Sequence, residues 1–362
     1  MKYKTELIDL LRNLIGFQTT ASNSGQIVQC IEYIEQYFSN SPLIIRKYVS
    51  NNIPSLIVSN KNTKSFDLLF NGHVDVVSAD KSLFTAKILG DKVIGRGAID
   101  MKGSIAVLMV LMKNLPKTDN SIGLMIVSDE ETDGSNGTKF LLNTIGYISK
   151  MTVIAEESNF DVVTRQKGQI TIKIQSIGKS GHGAQPWTGI NAIEKLIDFY
   201  GQLKRQIKDV NLNAWDACTI NLGKISGGTA HNVIPDRADM CLDIRYPTKK
   251  ALDKIIIALE ILSKSSCVSY KILSQTNPME SGNVKSFIKQ LTDITEAVIT
   301  RKIQEKWTNY CSDGRYFTDN NMRVFEFGPT GANYHSENEY VSIRSLIQYL
   351  NILRTIIRKW VK

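Results

Sequence analysis

The sequence predicts an α/β protein: a mostly parallel sheet flanked by helices, interrupted by an inserted ferredoxin-like α+β domain. Three observations carry this. Strand-like apolar runs alternate with helix-length segments up to about residue 160, the pattern of a largely parallel sheet. Near Lys167 the pattern changes, and residues 168–177 (Gly-Gln-Ile-Thr-Ile-Lys-Ile-Gln-Ser-Ile) alternate with period two, the mark of a half-exposed strand. From there the order strand, helix, strand, strand, helix, strand is that of a ferredoxin-like unit. A chain of 362 residues exceeds one ordinary core. The expected division is a first part of one domain at 1–169, an inserted domain at 170–278, and the rest of the first domain at 279–362.

The elements follow in order. Residues 6–17 and 26–38 carry apolar side chains at helical spacing, and 55–59, 67–71, 122–128 and 152–155 are short apolar runs that read as buried strands. Residues 104–115 are apolar nearly all round, which predicts a helix buried on every side. In the inserted domain, helices are expected at 191–208 and 249–263, with strands at 218–222, 237–246 and 268–273. A helix at 284–299, a strand at 324–327 and a final helix at 343–360 complete the chain.

Composition excludes several classes. An apolar content of 42% with 22% charged residues is that of a globular protein, and the longest apolar run, 105–112, is far too short to span a bilayer. The N-terminal segment reads as an amphipathic helix carrying acids rather than as a signal or transit peptide, so a cytoplasmic location and no membrane partner are expected. The net charge of +9 is spread over dispersed lysines without aromatic interleaving, so no nucleic-acid partner is expected, although the excess favours anionic small substrates. Five cysteines without close pairs argue against a disulfide framework or a thiolate metal site.

The chemistry-bearing residues lie at turns. All four histidines sit in polar or glycine-punctuated stretches: Asn71-Gly72-His73-Val74-Asp75, Ser180-Gly181-His182-Gly183, Thr229-Ala230-His231-Asn232 and Asn333-Tyr334-His335-Ser336-Glu337. Four predicted strands run toward a candidate ligand: one into His73, one into Glu130 and Glu131, one into Glu156 and Glu157, and one through Gly328-Pro329 toward His335. In open α/β sheets the carboxyl ends of strands line the binding crevice. A loop, Gly95-Arg96-Gly97-Ala98-Ile99-Asp100, adds one more acid at the start of the buried helix. Several acids at one sheet edge would repel each other unless cations compensate, and two histidines with three carboxylates suit a two-metal site. Asp75 is placed to orient the His73 ring.

Seven ordered motifs give the sequence a specific likeness. They run from Asn71-Gly-His-Val-Asp through Gly95-Arg-Gly-Ala-Ile-Asp-Met-Lys-Gly, Ser128-Asp-Glu-Glu and Gly178-Lys-Ser-Gly-His. They continue through Gly228-Thr-Ala-His-Asn-Val-Ile-Pro-Asp and Ser312-Asp-Gly-Arg-Tyr to Gly328-Pro-Thr-Gly-Ala-Asn-Tyr-His. Together they resemble the dinuclear zinc aminoacylase and carboxypeptidase family, which includes succinyl-diaminopimelate desuccinylases and acetylornithine deacetylases. The resemblance implies two Zn²⁺ ions, with Co²⁺ as a substitute: His73 and Glu156 on one, Glu131 and His335 on the other, and Asp100 bridging. It implies Glu130 as general base, Asp75 as its catalytic companion beside His73, and His182 as an oxyanion-stabilising residue supplied across a homodimer by the lid domain. Arg245, Asn232, Ser312 and Gly314 are expected at the substrate, with His231 in a supporting role.

The implied activity is hydrolysis of a linear amide, releasing a succinyl or acetyl group from an N-acylated amino acid such as N-succinyl-diaminopimelate, N-acetylornithine or N-acetyl-lysine, within amino-acid biosynthesis. A dipeptidase or carboxypeptidase of the same family is the alternative, and an inactive amino-acid-binding protein is the alternative of another class. Three positions depart from the family pattern. Glu157 stands where a proline is usual, so it could compete with Glu156. Gly331 replaces an asparagine of desuccinylases, and Cys311 replaces a threonine.

Overall fold

Strands that are apolar on both faces need cover on both faces, and here they assemble into one nine-stranded sheet in a computed structural model that describes residues 3–207 and 214–360. Its centre is parallel: Ile122–Val127, Leu68–His73, Thr152–Ile154 and Val324–Glu326 lie side by side in that order. Ile53–Ser59 joins antiparallel to Ile122–Val127, and Ile44–Ser50 pairs antiparallel outside it. On the other side Val162–Gln166 runs antiparallel to Val324–Glu326.

The helix Gly103–Lys113 is buried along its whole length up to Met112, as its all-round apolarity requires. Its neighbours in the apolar core include the helices Lys4–Gly16 and Ile343–Trp360. Each fully buried Val, Leu, Ile or Met there contributes about 1.5–3 kcal/mol of transfer free energy. Leu108→Ala, at a fully buried site, is expected to cost about 2–5 kcal/mol.

Contacts divide the chain into two compact units. One holds the chain up to Thr164, Glu280–Lys306 and the stretch from Ser312 onward; the other holds Arg165–Met279 with Trp307–Cys311. The second unit is a four-stranded antiparallel sheet in the order Thr219–Gly227, Arg237–Tyr246, Gly168–Ile177, Val268–Thr276. That order, with a helix after the first and third strands in sequence, is ferredoxin-like. Ile170, Ile172 and Ile174 fill its core with Leu196 and Phe199 of the helix Ala192–Gln206 and Ile255 and Leu259 of the helix Lys249–Ser266. The first helix starts where Asn191 Oδ1 accepts the N–H groups of Ile193 and Glu194, at 3.0 and 3.3 Å. Lys208, expected to end that helix, lies outside the described residues.

Candidate active site and metal centre

Because the four central strands are parallel, their carboxyl ends open at one edge. His73 is the last residue of its strand and pairs in register with Val127, the last of the neighbouring strand; Ser128, Asp129, Glu130 and Glu131 follow directly. Thr152–Ile154 ends in register with Asn71 and leads into Ala155 and Glu156, and Val324–Glu326 leads through Gly328 toward His335. A Cβ on Gly328 would collide with the carbonyl oxygen of Glu156, so only glycine lets these two turns lie together. Asp100 arrives from the loop before the buried helix. Gly97 turns that loop with φ of +79°, where a Cβ would meet Val76 and Lys102 side chains at 2.8 and 3.0 Å.

The acids and imidazoles meet in two groups that share one residue. His73, Asp100 and Glu156 present ligand atoms within 4.8 Å of one another, and so do Asp100, Glu131 and His335. His73 Nε2 lies 3.1 Å from Asp100 Oδ1 and 3.3 Å from Glu156 Oε1. His335 Nε2 lies 3.0 Å from Asp100 Oδ2 and 3.2 Å from Glu131 Oε1. Glu157 belongs to neither group among the described residues.

His73 Nδ1 is 2.9 Å from the carbonyl oxygen of Asp75, which can only accept, so Nδ1 carries a proton and Nε2 is the ring nitrogen turned to the acids. Asp75 reaches further: its Oδ2 accepts the backbone N–H of Glu131 at 2.9 Å. One aspartate therefore orients a histidine of one group and the loop carrying an acid of the other.

The electrostatics are those of a crowd of carboxylates removed from water. Burial raises Glu156 to about 7 and Glu157 to about 10, with Asp100 repulsion adding to both. Burial, with repulsion from Asp313 and Glu156, pushes Glu130 well above the usual carboxylate range. Burial would lower His73, but Glu156, Asp100 and Asp75 outweigh it and raise the imidazole well above its ordinary value. Hydrogen bonds to Asp100 and Glu131 raise His335 to about 10. Burial opposes the ionisation of Asp100, yet its two histidine partners hold its carboxyl below the ordinary range.

The donor set fits divalent cations. His73 Nε2 is buried and has no hydrogen-bond partner, although two carboxylate oxygens face it. Nitrogen and oxygen donors converge, and Asp100 offers one oxygen to each group. Imidazole and carboxylate donors suit zinc and its transition-metal neighbours.

The remaining expected site residues are placed as follows. Glu130 precedes Glu131 on the same loop. Ser312 and Gly314 are buried, and Ser312 Oγ accepts the Gly314 N–H at 3.2 Å, so here they shape the turn that starts the short helix Gly314–Asp319. In the second unit, His182 is exposed and its Nδ1 accepts the Ala184 N–H at 3.1 Å. Gly183 N–H donates to Asn232 O at 2.7 Å, which joins the His182 turn to the His231–Asn232 turn. Both turns border a cavity of about 650 Å³ that His231 helps to line. Arg245 has its fork on Asp243, with Nε 2.8 Å from Oδ1 and Nη2 3.2 Å from Oδ2.

Sequence reasoning assigned no role to Asp313 and Arg315. Asp313 accepts a hydrogen bond from Thr138 Oγ1, at the far end of the Glu130–Glu131 loop. Arg315 Nη2 donates to Asp133 O at 2.7 Å, and Tyr316 Oη donates to the same oxygen. Asp129 is raised to about 7 by burial and then by Asp313. The signal was an acid and an arginine two residues apart, Asp313 and Arg315, inside an otherwise small, polar motif.

A profile of the peptidase family M20/M25/M40 matches residues 69–359. The chain belongs to this family. It is accordingly a hydrolase acting on amide bonds. Among curated relatives, the succinyl-diaminopimelate desuccinylase of Rickettsia massiliae is 28% identical over 381 residues, covering 97% of this chain and 100% of that protein. Among solved structures, aminopeptidase PepT from Bacillus cereus superposes with a TM-score of 0.80 at 15% identity, covering 99% of each chain. A dinuclear metal-binding M20 peptidase from Bacillus subtilis superposes with a TM-score of 0.70 at 13% identity, covering 99% of each chain. Among the described residues no helix is long and apolar enough to cross a membrane.

Proposed function

We propose that this member of the M20 family is a dinuclear zinc amidohydrolase that removes an acyl group, succinyl in first place, from an N-acylated amino acid. The observation that carries the metal reading is the sharing of Asp100 between His73 with Glu156 and Glu131 with His335. The acyl-amino-acid reading rests on desuccinylase relatives that align along nearly the whole chain. Under this reading the chain serves amino-acid biosynthesis, as a homodimer.

His73 and Glu156 would hold one ion, Glu131 and His335 the other, and Asp100 both. When bound, the ions supply Lewis acidity that polarises the scissile carbonyl and lowers the pKa of water from 15.7 toward about 7. Glu130, a carboxylate made more basic by burial, accepts the proton of the attacking water and returns it to the nitrogen of the leaving amine. Asp75 keeps the His73 proton on Nδ1 by presenting its carbonyl there. His182, whose Nδ1 already accepts a hydrogen bond, keeps Nε2–H to donate, and we assign it to the developing oxyanion. Arg245 would grip a substrate carboxylate by releasing Asp243.

A panel of N-succinyl, N-acetyl and dipeptide substrates, run on zinc-loaded protein with metal content measured in parallel, tests the reading. Turnover of N-succinyl amino acids is expected. Turnover of dipeptides alone would overturn the deacylase assignment, and a protein that takes up no metal would overturn the dinuclear one.

A further inference from the structure

The loop that carries Asp100 and the turn that carries His335 are tied together by a carboxylate that belongs to neither group. Glu339 lies four residues beyond His335 and is 1% exposed. Its Oε1 accepts the backbone N–H of Ile99 at 3.1 Å and of Asp100 at 3.3 Å. Its Oε2 accepts Arg96 Nη1 at 2.5 Å, and Arg96 is itself 4% exposed. The backbone repeats the link: Gly95 N–H donates to Glu339 O at 3.1 Å, and Tyr340–Ser342 pairs antiparallel with Lys92–Ile94. The turn before it is closed by Asn333 Nδ2 donating to Asn338 O at 3.3 Å.

We propose that Glu339, held in place by Arg96, is a positioning residue that aims the Asp100 carboxylate at both histidines and so sets the affinity of the shared metal centre. The inference rests on the dinuclear reading given above. With the N–H groups of Ile99 and Asp100 held on one carboxylate oxygen, the direction in which the Asp100 Cα–Cβ bond leaves the backbone is fixed. That direction puts Oδ1 3.1 Å from His73 Nε2 and Oδ2 3.0 Å from His335 Nε2. A buried arginine–glutamate pair is by itself a poor stabiliser, because desolvation offsets most of its attraction, and an apolar pair of similar volume often serves as well. What an apolar pair could not do is accept two backbone N–H groups at the entrance of a ligand loop. Residues that orient ligands from outside typically change metal affinity 10- to 100-fold when replaced.

The test is a zinc titration of metal-stripped protein against a chromophoric chelator, read as ions per chain and affinity. The proteins are wild type, Glu339→Met, the double variant Arg96→Met with Glu339→Met, and Leu353→Ala as a control buried in the C-terminal helix. The double variant leaves no unpaired buried cation, so it answers the question if the single variant does not fold. Wild type is expected to bind two ions. Both Glu339 variants are expected to keep their circular dichroism and to bind at least one ion about 10- to 100-fold more weakly. Leu353→Ala, although less thermostable, is expected to bind as wild type. Wild-type affinity in the Glu339 variants would overturn the proposal. So would an equal loss in Leu353→Ala, or failure of both Glu339 variants to fold, since either makes the pair a stability element. Wild type that binds no zinc would instead overturn the dinuclear reading itself.

Discussion

His73 and His335 present the same ring nitrogen to opposite oxygens of the same aspartate, yet they do so from contrasting kinds of backbone. His73 ends an interior parallel strand, has a side chain 1% exposed, and has its second nitrogen fixed by the carbonyl of Asp75. His335 sits on a turn with φ of +61° and a side chain 46% exposed. One half of the centre is thus built into the sheet, where every neighbour constrains the ring. The other half depends on a turn that is held by residues around it, Glu339 and Asn333 among them. The contrast shows how a site can be buried at one wall and open to substrate at the other.

The largest effect should come from the residue the two halves share. On the dinuclear zinc reading, Asp100→Ala is expected to reduce bound zinc from two ions per chain toward none and activity to the detection limit, measured by elemental analysis and turnover; retention of both ions would separate the halves. Next is Glu130→Gln, which belongs to neither group of ligands. Its turnover should fall about 10²- to 10⁴-fold with both ions retained, and a parallel loss of metal would show that Glu130 holds an ion.

The two histidines themselves should then differ in stability. His73→Ala empties a buried site and leaves buried acids facing a void, and is expected to cost about 1–3 kcal/mol of unfolding free energy beyond the lost ion. His335→Ala, half exposed, should change the stability of metal-free protein by no more than about 1 kcal/mol, the worth of an exposed ion pair. Equal melting shifts in calorimetry would break the comparison. The smallest effect on turnover is expected from Arg315→Met, which frees Asp133 at the bend of the Glu130–Glu131 loop; about a tenfold loss of turnover, with a drop in thermal stability because the buried Arg315 donates to Ser312 O and Asp133 O, would place Arg315 in support of that loop.

Much of this was readable in the residues. Period-two alternation in Gly168–Ile177 comes directly from one buried and one open face, and the unbroken apolar run before Lys113 comes from burial on all sides. The paths from strand to candidate ligand were legible because parallel strands send their carboxyl ends to one edge. Other parts left no local mark. The strand Ile44–Ser50 carries Arg46 and Lys47 on a half-exposed edge, so it lacks the apolar signature of the interior strands. The small sheet formed by Lys87–Leu89, Lys92–Ile94, Tyr340–Ser342 and Gly331–Ala332 has strands of two or three residues, too short for periodicity to register. Arg96 and Glu339 are 243 residues apart, and each alone resembles an ordinary surface charge.

By itself, then, the sequence determined which elements form, which faces they bury and which side chains with metal-binding chemistry stand at the strand ends, because these follow from patterns of neighbouring residues. Only the tertiary structure decided which Asp100 oxygen faces which histidine, that Asp75 links the His73 ring to the Glu131 backbone, and that Glu339 rather than Glu337 closes the Asp100 loop. Those choices depend on distances of about three ångströms between residues far apart in the chain, and such distances exist only once the sheet has set its register.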